Sequence, residues 1–319
     1  MSKQSVAFIG TGIMGAPMAG HLARAGYPVT LHDRDPAQMQ AAIAAEPALK
    51  TAASPAAAAD GADIVITMLP DGAVVQQVAL GDQGLVHGLK AGALLLDTSS
   101  SQPWLTTQTA AALAARGIAM VDAPVSGAQW GAQAAELVFM IGGAPADVER
   151  VMPLLKVMGR QCFHLGPVGA GHVMKCLNNL ITAMTFAATI EGMLVGRRFG
   201  LDSRTMVDVL NVSTGQSWLT QNHVGQRIVS GTFDDPFKMV LMNKDIAIAM
   251  ELAQREGVPM PMSALGQQLW KAAGVPLPAD ASISEFARYL EKMAGTALAD
   301  DGSPLAHRVI SRPPAGPPP

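Results

Sequence analysis

The chain has only two cysteines, Cys162 and Cys176. They are too few for a disulfide framework, so a reducing compartment and a cytoplasmic location are expected. Charge is sparse and nearly balanced, with 22 Lys and Arg against 25 acids and a net −3. No basic field points toward nucleic acid or an anionic membrane surface, and neither is expected as a partner. The seven histidines are scattered. None stands in a ligand spacing such as H-E-x-x-H, so no metal is expected. Aromatic residues make up 4% of the chain, which favours close helix packing through Ala, Gly, Met and Leu over a core of rings. The N-terminus, MSKQSVAFIG, lacks the basic and apolar segments of a signal peptide. One long apolar run exists, 173–196, and Lys175, Asn178, Asn179 and Glu191 interrupt it. A buried helix is the expectation there, and not a membrane span.

What is present divides in two. A chain of 319 residues exceeds what one core usually serves, so two domains are expected. In the first half, short apolar runs at 5–9, 29–32, 63–68, 93–96, 119–121, 137–141 and 162–165 read as strands. Helix-like segments at 14–25, 36–45, 72–79, 103–116 and 146–158 separate them. Strands without in/out alternation, divided by helices, predict a parallel sheet covered on both faces. After residue 165 the strand signals stop. Segments 168–199, 203–212, 221–229, 239–256 and 260–273 all have helical length. The first is about 30 residues, or roughly 45 Å, long enough to pass from one domain to the next. The domains are expected at 1–165 and 166–296, with 297–319, ending SRPPAGPPP, a disordered tail.

The glycine pattern Gly10-x-Gly12-x-x-Gly15 follows the first strand at once and opens a helix. Gly10 allows a tight turn, Gly12 admits a pyrophosphate against bare backbone, and Gly15 lets the helix pack on the sheet. The helix N-terminus, with Thr11, Ile13 and Met14 in the turn, offers N–H groups to phosphate. Asp33 lies at the end of the second strand, where a carboxylate accepts ribose hydroxyls. The expected fold class is therefore α/β: an N-terminal Rossmann-type, doubly wound parallel sheet joined by a long helix to an all-α C-terminal domain. Asp33 favours NAD, while the adjacent Arg34 keeps NADP as the alternative. Ligands bind outside the carboxyl ends of parallel strands. That makes the backbone and hydroxyls of Met68, Leu69 and Pro70, and of Asp97, Thr98, Ser99 and Ser100, candidates to line the cofactor. Ser100 to Gln102 are read as a cap before Pro103.

Four stretches then resemble one family: GTGIMGAPMA at 10–19, DAPVSG at 122–127, GAGHVMKCLNN at 169–179, and NKD at 243–245. Together, from about residue 4 to residue 290, the chain resembles the β-hydroxyacid dehydrogenases, the group that includes 3-hydroxyisobutyrate dehydrogenase and tartronate semialdehyde reductase. The resemblance implies that Lys175 is the catalytic lysine and that Asn179, one turn later, orients it and holds substrate. It implies a carboxylate-binding loop at Ser126 and Gly127, with Ala128 where the family commonly has a second glycine. Lys244 would reach the cofactor region, braced by Asp245, and Ser99 would lie near the nicotinamide. Trp218, Gln221 and Asn222 fall in the region that closes over substrate in the family.

The chemistry fits these residue types. Oxidising an alcohol removes the O–H proton as hydride leaves carbon, and an amine takes that proton only when neutral. Burial lowers a lysine toward that state. The expected activity is hydride transfer between NAD and a short 3-hydroxy acid or its semialdehyde. The alternatives are an NADPH-dependent reductase of tartronate, succinic or sulfonated aldehyde acids, an imine reductase, or a non-catalytic dinucleotide-binding module. The apolar helical half predicts self-association as a dimer or tetramer.

Overall fold

The structure, a computed structural model, describes residues 3–299. By packing, these form two units. The first runs to Leu180 and takes back Lys244–Met260; the second holds Ile181–Asn243 and continues from Pro261. Each unit has its own core.

The first unit is built on nine strands: β1 Val6–Ile9, β2 Val29–His32, β3 Lys50–Thr51, β4 Ile64–Thr67, β5 Leu94–Asp97, β6 Ala119–Asp122, β7 Val125–Ser126, β8 Leu137–Gly142 and β9 Gly159–Gly166. The helices α1 Gly15–Arg24, α2 Pro36–Ala45, α3 Pro55–Ala59, α4 Gly72–Leu80, α5 Pro103–Ala114, α6 Ala128–Ala134 and α7 Pro145–Met158 lie between them. The sheet order is β3-β2-β1-β4-β5-β6-β8-β7, with β9 paired to β8. Chain order reverses between β1 and β4, so a crevice opens there at the carboxyl ends of the strands.

The continuous apolar strands are explained by burial on both faces. Phe8, Ile64, Ile66, Leu94 and Leu96 join Met18 and Leu22 of α1 and Val151 and Leu155 of α7 on one side. Ala7, Ile9, Val65 and Leu95 join Ala58, Ala79 and Leu113 on the other. Proline and short polar side chains start the helices: Asp35, Ser54 and Asp71 accept N–H bonds in the first turns of α2, α3 and α4.

The sheet is not wholly parallel. β8 runs antiparallel to both β6 and β7. The two-residue strands β3 and β7 and the short helices α3 and α6 carry too few residues to show a period, and the sequence reading passed over them.

The helix α8, Ala170–Phe199, starts in the first unit and ends in the second. The sheet ends at Gly166, beside the expected break at 165, while by packing the first unit continues along α8 to Leu180. Asp122, at the end of β6, accepts the N–H groups of Gly169 at 2.6 Å and His172 at 2.9 Å, fastening the helix start to the sheet. Within the first unit, the part of α10, Met239–Arg255, from Lys244 onward is held in the same way. Its Asp245 accepts from Asn179 at 2.6 Å, and Arg255 stacks over Trp104 at 4.2 Å.

The second unit also contains α9 Ser203–Asn211, a π-helical segment Thr220–Val229, α11 Pro261–Gly274 and α12 Glu285–Ala294. Its core is aromatic despite the chain's low aromatic content. Trp270 and Phe286 stack at 4.0 Å, Phe186 sits beside both, and the Trp270 indole donates to Ala183 O at 3.1 Å. Most of the expected tail lies outside the described residues. At its start the expectation of disorder is corrected: Leu298 is buried and its N–H donates to Glu291 Oε1 at 2.7 Å.

Candidate active site

The glycine turn leaves β1 through Gly10, at φ +95°, a left-handed conformation that suits glycine. Any side chain at Gly10 would collide with Met68 O, and one at Gly15 with Gly10 O. At Gly12 a Cβ would meet nothing within 4 Å. The turn is thus packed from below and open above. No side chain caps α1, and Ile13 is exposed beside Met14 at its entrance. This donor set fits a pyrophosphate. Asp33 is placed by Thr11, whose N–H and hydroxyl donate to its Oδ2 at 2.7 and 3.3 Å, and by the Asp35 N–H at 2.9 Å on Oδ1. Arg34 next to it is exposed.

Two further strand ends meet this turn. The Met68 N–H donates to Ile9 O and Leu69 N–H to Ser99 Oγ at 2.9 Å. Thr98 is buried, with its hydroxyl on Thr67 O at 2.7 Å. Behind them lies Asp97, fully buried, accepting from Thr67 Oγ1 at 2.8 Å, Ser99 N at 3.0 Å and Ser101 Oγ at 3.0 Å. Ser101 therefore braces the loop from inside, and no side chain caps α5.

Lys175 and Asn179 emerge from one face of α8. The ammonium donates to Asn179 Oδ1 at 3.3 Å. Asn179 is buried, and its amide direction is fixed by the 2.6 Å bond from Nδ2 to Asp245 Oδ2. That bond turns the carbonyl oxygen toward the lysine. Asn178 donates to the same oxygen at 3.1 Å. Lys244 Nζ stands 3.4 Å from Asp245 Oδ1 and donates to Pro70 O at 2.9 Å and Ser100 O at 2.6 Å. A chain of polar contacts thus runs from the two strand-end loops to the lysine on α8.

Burial is the main reason the Lys175 ammonium is held below the usual lysine range, with Lys244 adding to the effect and Asp245 opposing it. The neighbouring Cys176 thiol is pushed up to about 12, mainly by burial and then by Asp245. It stays protonated and takes no nucleophilic part.

Ser126 ends β7, and Gly127 follows at φ +132°. Ala128 is at φ +52° and Ala135 at φ +58°, both in the left-handed region. Alanine occupies these positions at a cost glycine would not bear. Trp130 is exposed on α6. Trp218, Gln221 and Asn222 belong to the second unit, at the start of the π-helical segment. All three are exposed. Gln221 donates to Gln216 Oε1 at 3.0 Å and Asn222 to Trp218 O at 3.0 Å. No cluster of three or more His, Cys, Asp or Glu side chains suited to a metal occurs among the described residues.

The sequence reading gave the Asp97 and Asp122 carboxylates no role in the site and missed His172 there. The first two carried a usable signal. Each is a carboxylate closing a buried apolar strand, LLLD or AMVD, and such a group must find donors.

A dinucleotide turn at the strand ends, with a lysine held on α8 by Asn179, is the arrangement of a nicotinamide-dependent dehydrogenase. Comparison with known proteins agrees. A family model for the NAD binding domain of 6-phosphogluconate dehydrogenase matches residues 5–166, and one for the NAD-binding of NADP-dependent 3-hydroxyisobutyrate dehydrogenase matches 169–290. The chain is 34% identical over 293 residues to 2-(hydroxymethyl)glutarate dehydrogenase of Eubacterium barkeri, covering 92% of this chain and 97% of that one. It is 36% identical over 271 residues to 3-hydroxyisobutyrate dehydrogenase of Pseudomonas aeruginosa, covering 83% and 90%. The solved structure of Mycobacterium tuberculosis 3-hydroxyisobutyrate dehydrogenase with L-serine superposes with a TM-score of 0.83 at 30% identity, covering 90% and 99%. The chain belongs to the NAD(P)-dependent β-hydroxyacid dehydrogenase family.

Proposed function

We propose that this chain oxidises a short 3-hydroxy acid of the 3-hydroxyisobutyrate type to its semialdehyde, with NAD, and runs the reverse reduction. The observation that carries the reading is the Lys175 ammonium, half-buried and aligned on Asn179 Oδ1 at 3.3 Å. The bound nicotinamide supplies the acceptor for the hydrogen leaving the carbinol carbon. Lys175, when neutral, takes the hydroxyl proton and becomes the ammonium. In the reverse direction the ammonium returns that proton to the carbonyl oxygen. Asn179 holds the lysine in line, and Asp245 fixes Asn179. Ser126 and the Gly127 N–H bind the substrate carboxylate. Trp218, Gln221 and Asn222 read its side chain.

The turn at Gly10, Gly12 and Gly15 holds the pyrophosphate, and Asp33 accepts from the ribose, which favours NAD over NADP. Met68, Leu69, Pro70, Thr98, Ser99 and Lys244 shape the nicotinamide end. The substrate class also rests on chemistry shared by the relatives' names. 2-(Hydroxymethyl)glutarate, 3-hydroxyisobutyrate and L-serine each carry a primary alcohol one carbon from a carboxylated carbon.

The test is nicotinamide absorbance with those three acids, NAD against NADP, wild type beside Lys175→Ala. Turnover of at least one acid with NAD is expected. Lys175→Ala should lower kcat by about 10²- to 10⁴-fold while NAD still binds. Tight NAD binding without turnover of any acid would point instead to a binding module. A larger kcat/KM with NADP would overturn the cofactor preference.

A further inference from the structure

Among the described residues, His172 is a buried titratable side chain to which the catalytic reading gives no role. His172 lies one turn before Lys175 on α8 and is 1% exposed. Its Nε2 faces Ser99 O at 3.0 Å and its Nδ1 faces Thr106 Oγ1 at 2.8 Å. Its backbone N–H donates to Asp122 Oδ2. Asp97 Oδ2 and Asp122 Oδ2 stand 3.6 Å from Nε2 and Nδ1. One residue thus touches the ends of β5 and β6, the start of α5, and the helix bearing the lysine.

The target of its ring is informative. A carbonyl accepts only, so Nε2 carries a proton and donates to Ser99 O. The next carbonyl, Ser100 O, accepts from Lys244 of α10 at 2.6 Å. Two successive carbonyls of the 97–102 loop are therefore gripped by two helices. One helix carries Lys175, and the other carries Asp245, which orients Asn179. The same loop supplies Ser99 Oγ to Leu69 N–H at the strand ends assigned to the nicotinamide.

We infer that His172 is a positioning residue that fixes the register between the 97–102 loop and Lys175, and so the distance over which proton and hydride leave one substrate carbon–oxygen unit. The inference rests on the reading of Lys175 as the proton acceptor. Any buried imidazole must find partners for both nitrogens; those of His172 lie in the 97–102 loop and on α5, the segments that follow the strand end assigned to the nicotinamide.

The test uses the full-length protein and three variants. His172→Leu removes both ring contacts, His172→Gln restores a donor within reach of Ser99 O, and Thr106→Val removes the Nδ1 partner together with the Thr106 hydroxyl's bond to Gln102 O at 3.1 Å. Hydrogen–deuterium exchange over residues 97–105, NAD affinity, Tm, and kcat and KM for the acid are read on each. In His172→Leu, or in Thr106→Val should the leucine variant not fold, faster exchange of the loop is expected. A kcat loss of about 10- to 100-fold should accompany it, with NAD affinity and acid KM changed less than about 3-fold. His172→Gln should recover part of both losses. Unchanged loop exchange and kcat in folded His172→Gln and Thr106→Val would overturn the inference. So would a kcat that falls only with the folded fraction. Lys175→Ala run in parallel separates the two failures. If it is inactive while the His172 and Thr106 variants are fully active, only this inference falls. If it is active, the reading beneath it falls first.

Discussion

At the scale of single residues, the site trades stability for reactivity. The Lys175 proton is held less tightly in the folded chain than in the unfolded one, because burial outweighs the attraction of Asp245. A group of that kind destabilises the fold at every pH below its folded pKa. The penalty shrinks as pH rises from there toward the ordinary lysine value of 10.5 and is absent above it. Lys175→Met is therefore expected to abolish turnover yet raise the neutral-pH Tm by about 2–4 °C, equivalent to roughly 1 kcal/mol. The gain should fade in a series of melts taken toward alkaline pH. The same shift sets the wild-type rate profile. Oxidation needs the neutral amine, so kcat/KM for the acid should rise with pH and level off below the range of a free lysine. Reduction should fall along the same limb. A limb centred at or above 10.5 would contradict the burial argument.

The glycine turn and the setting of Lys175 were legible as residue types that are costly or unusual where they stand, while the roles of Lys175 and Asn179 were implied by the family resemblance. A lysine in an apolar helix and glycines between a strand and a helix stand out without coordinates. The carboxylates of Asp97 and Asp122 were given no role, since their donors come from residues up to 50 positions away. Trp218, Gln221 and Asn222 were named from resemblance, and their exposure in the second unit assigns no contact.

Between elements, the decisive joint is the start of α8. It takes its cap from another strand: Asp122 accepts from Gly169 and His172 with its two oxygens. Those two N–H groups would otherwise be buried and unpaired. Burial raises the Asp122 pKa, while His172 and the two N–H bonds oppose the rise. Asp122→Asn keeps the shape but turns an amide N–H toward one of the donors. A loss of about 1–3 kcal/mol is expected, lowering Tm by several degrees in calorimetry. Activity should fall as well, since the joint places Lys175 two turns into the helix. A variant with unchanged Tm would show that the cap contributes nothing. The long helices were readable from period and from Pro and Gly punctuation. The antiparallel turn of β7 against β8 was not, because two residues at Val125–Ser126 cannot display an alternation. Nor was the π-helical geometry at Thr220–Val229, where the sequence keeps an ordinary helical pattern.

For the molecule as a whole, the second unit leaves one face of α8 uncovered. Ile181, Ala188, Gly192, Val195 and Phe199 fall on one side of the helix at multiples of its turn, and all are exposed, Val195 at 72% and Phe199 at 85%. The opposite stripe, with Ala183, Phe186, Ala187, Ile190 and Leu194, is buried. A helix apolar on both sides needs a second partner for the uncovered one. We propose that the partner is another copy of this chain, with the small residues Ala188 and Gly192 letting two α8 helices approach. The face spans about five turns, roughly 27 Å, which gives such an interface room to reach the roughly 1,000 Å² a stable dimer needs. Light scattering should then return a mass near twice the 33.0 kDa of one chain, or four times it if dimers pair. Val195→Glu places a charge in that face and should shift the species toward 33.0 kDa. The Rossmann unit should keep its NAD affinity, because its own cores are complete without the second unit. A wild-type protein that elutes as a single chain at micromolar concentration would leave the exposed stripe without its proposed cover.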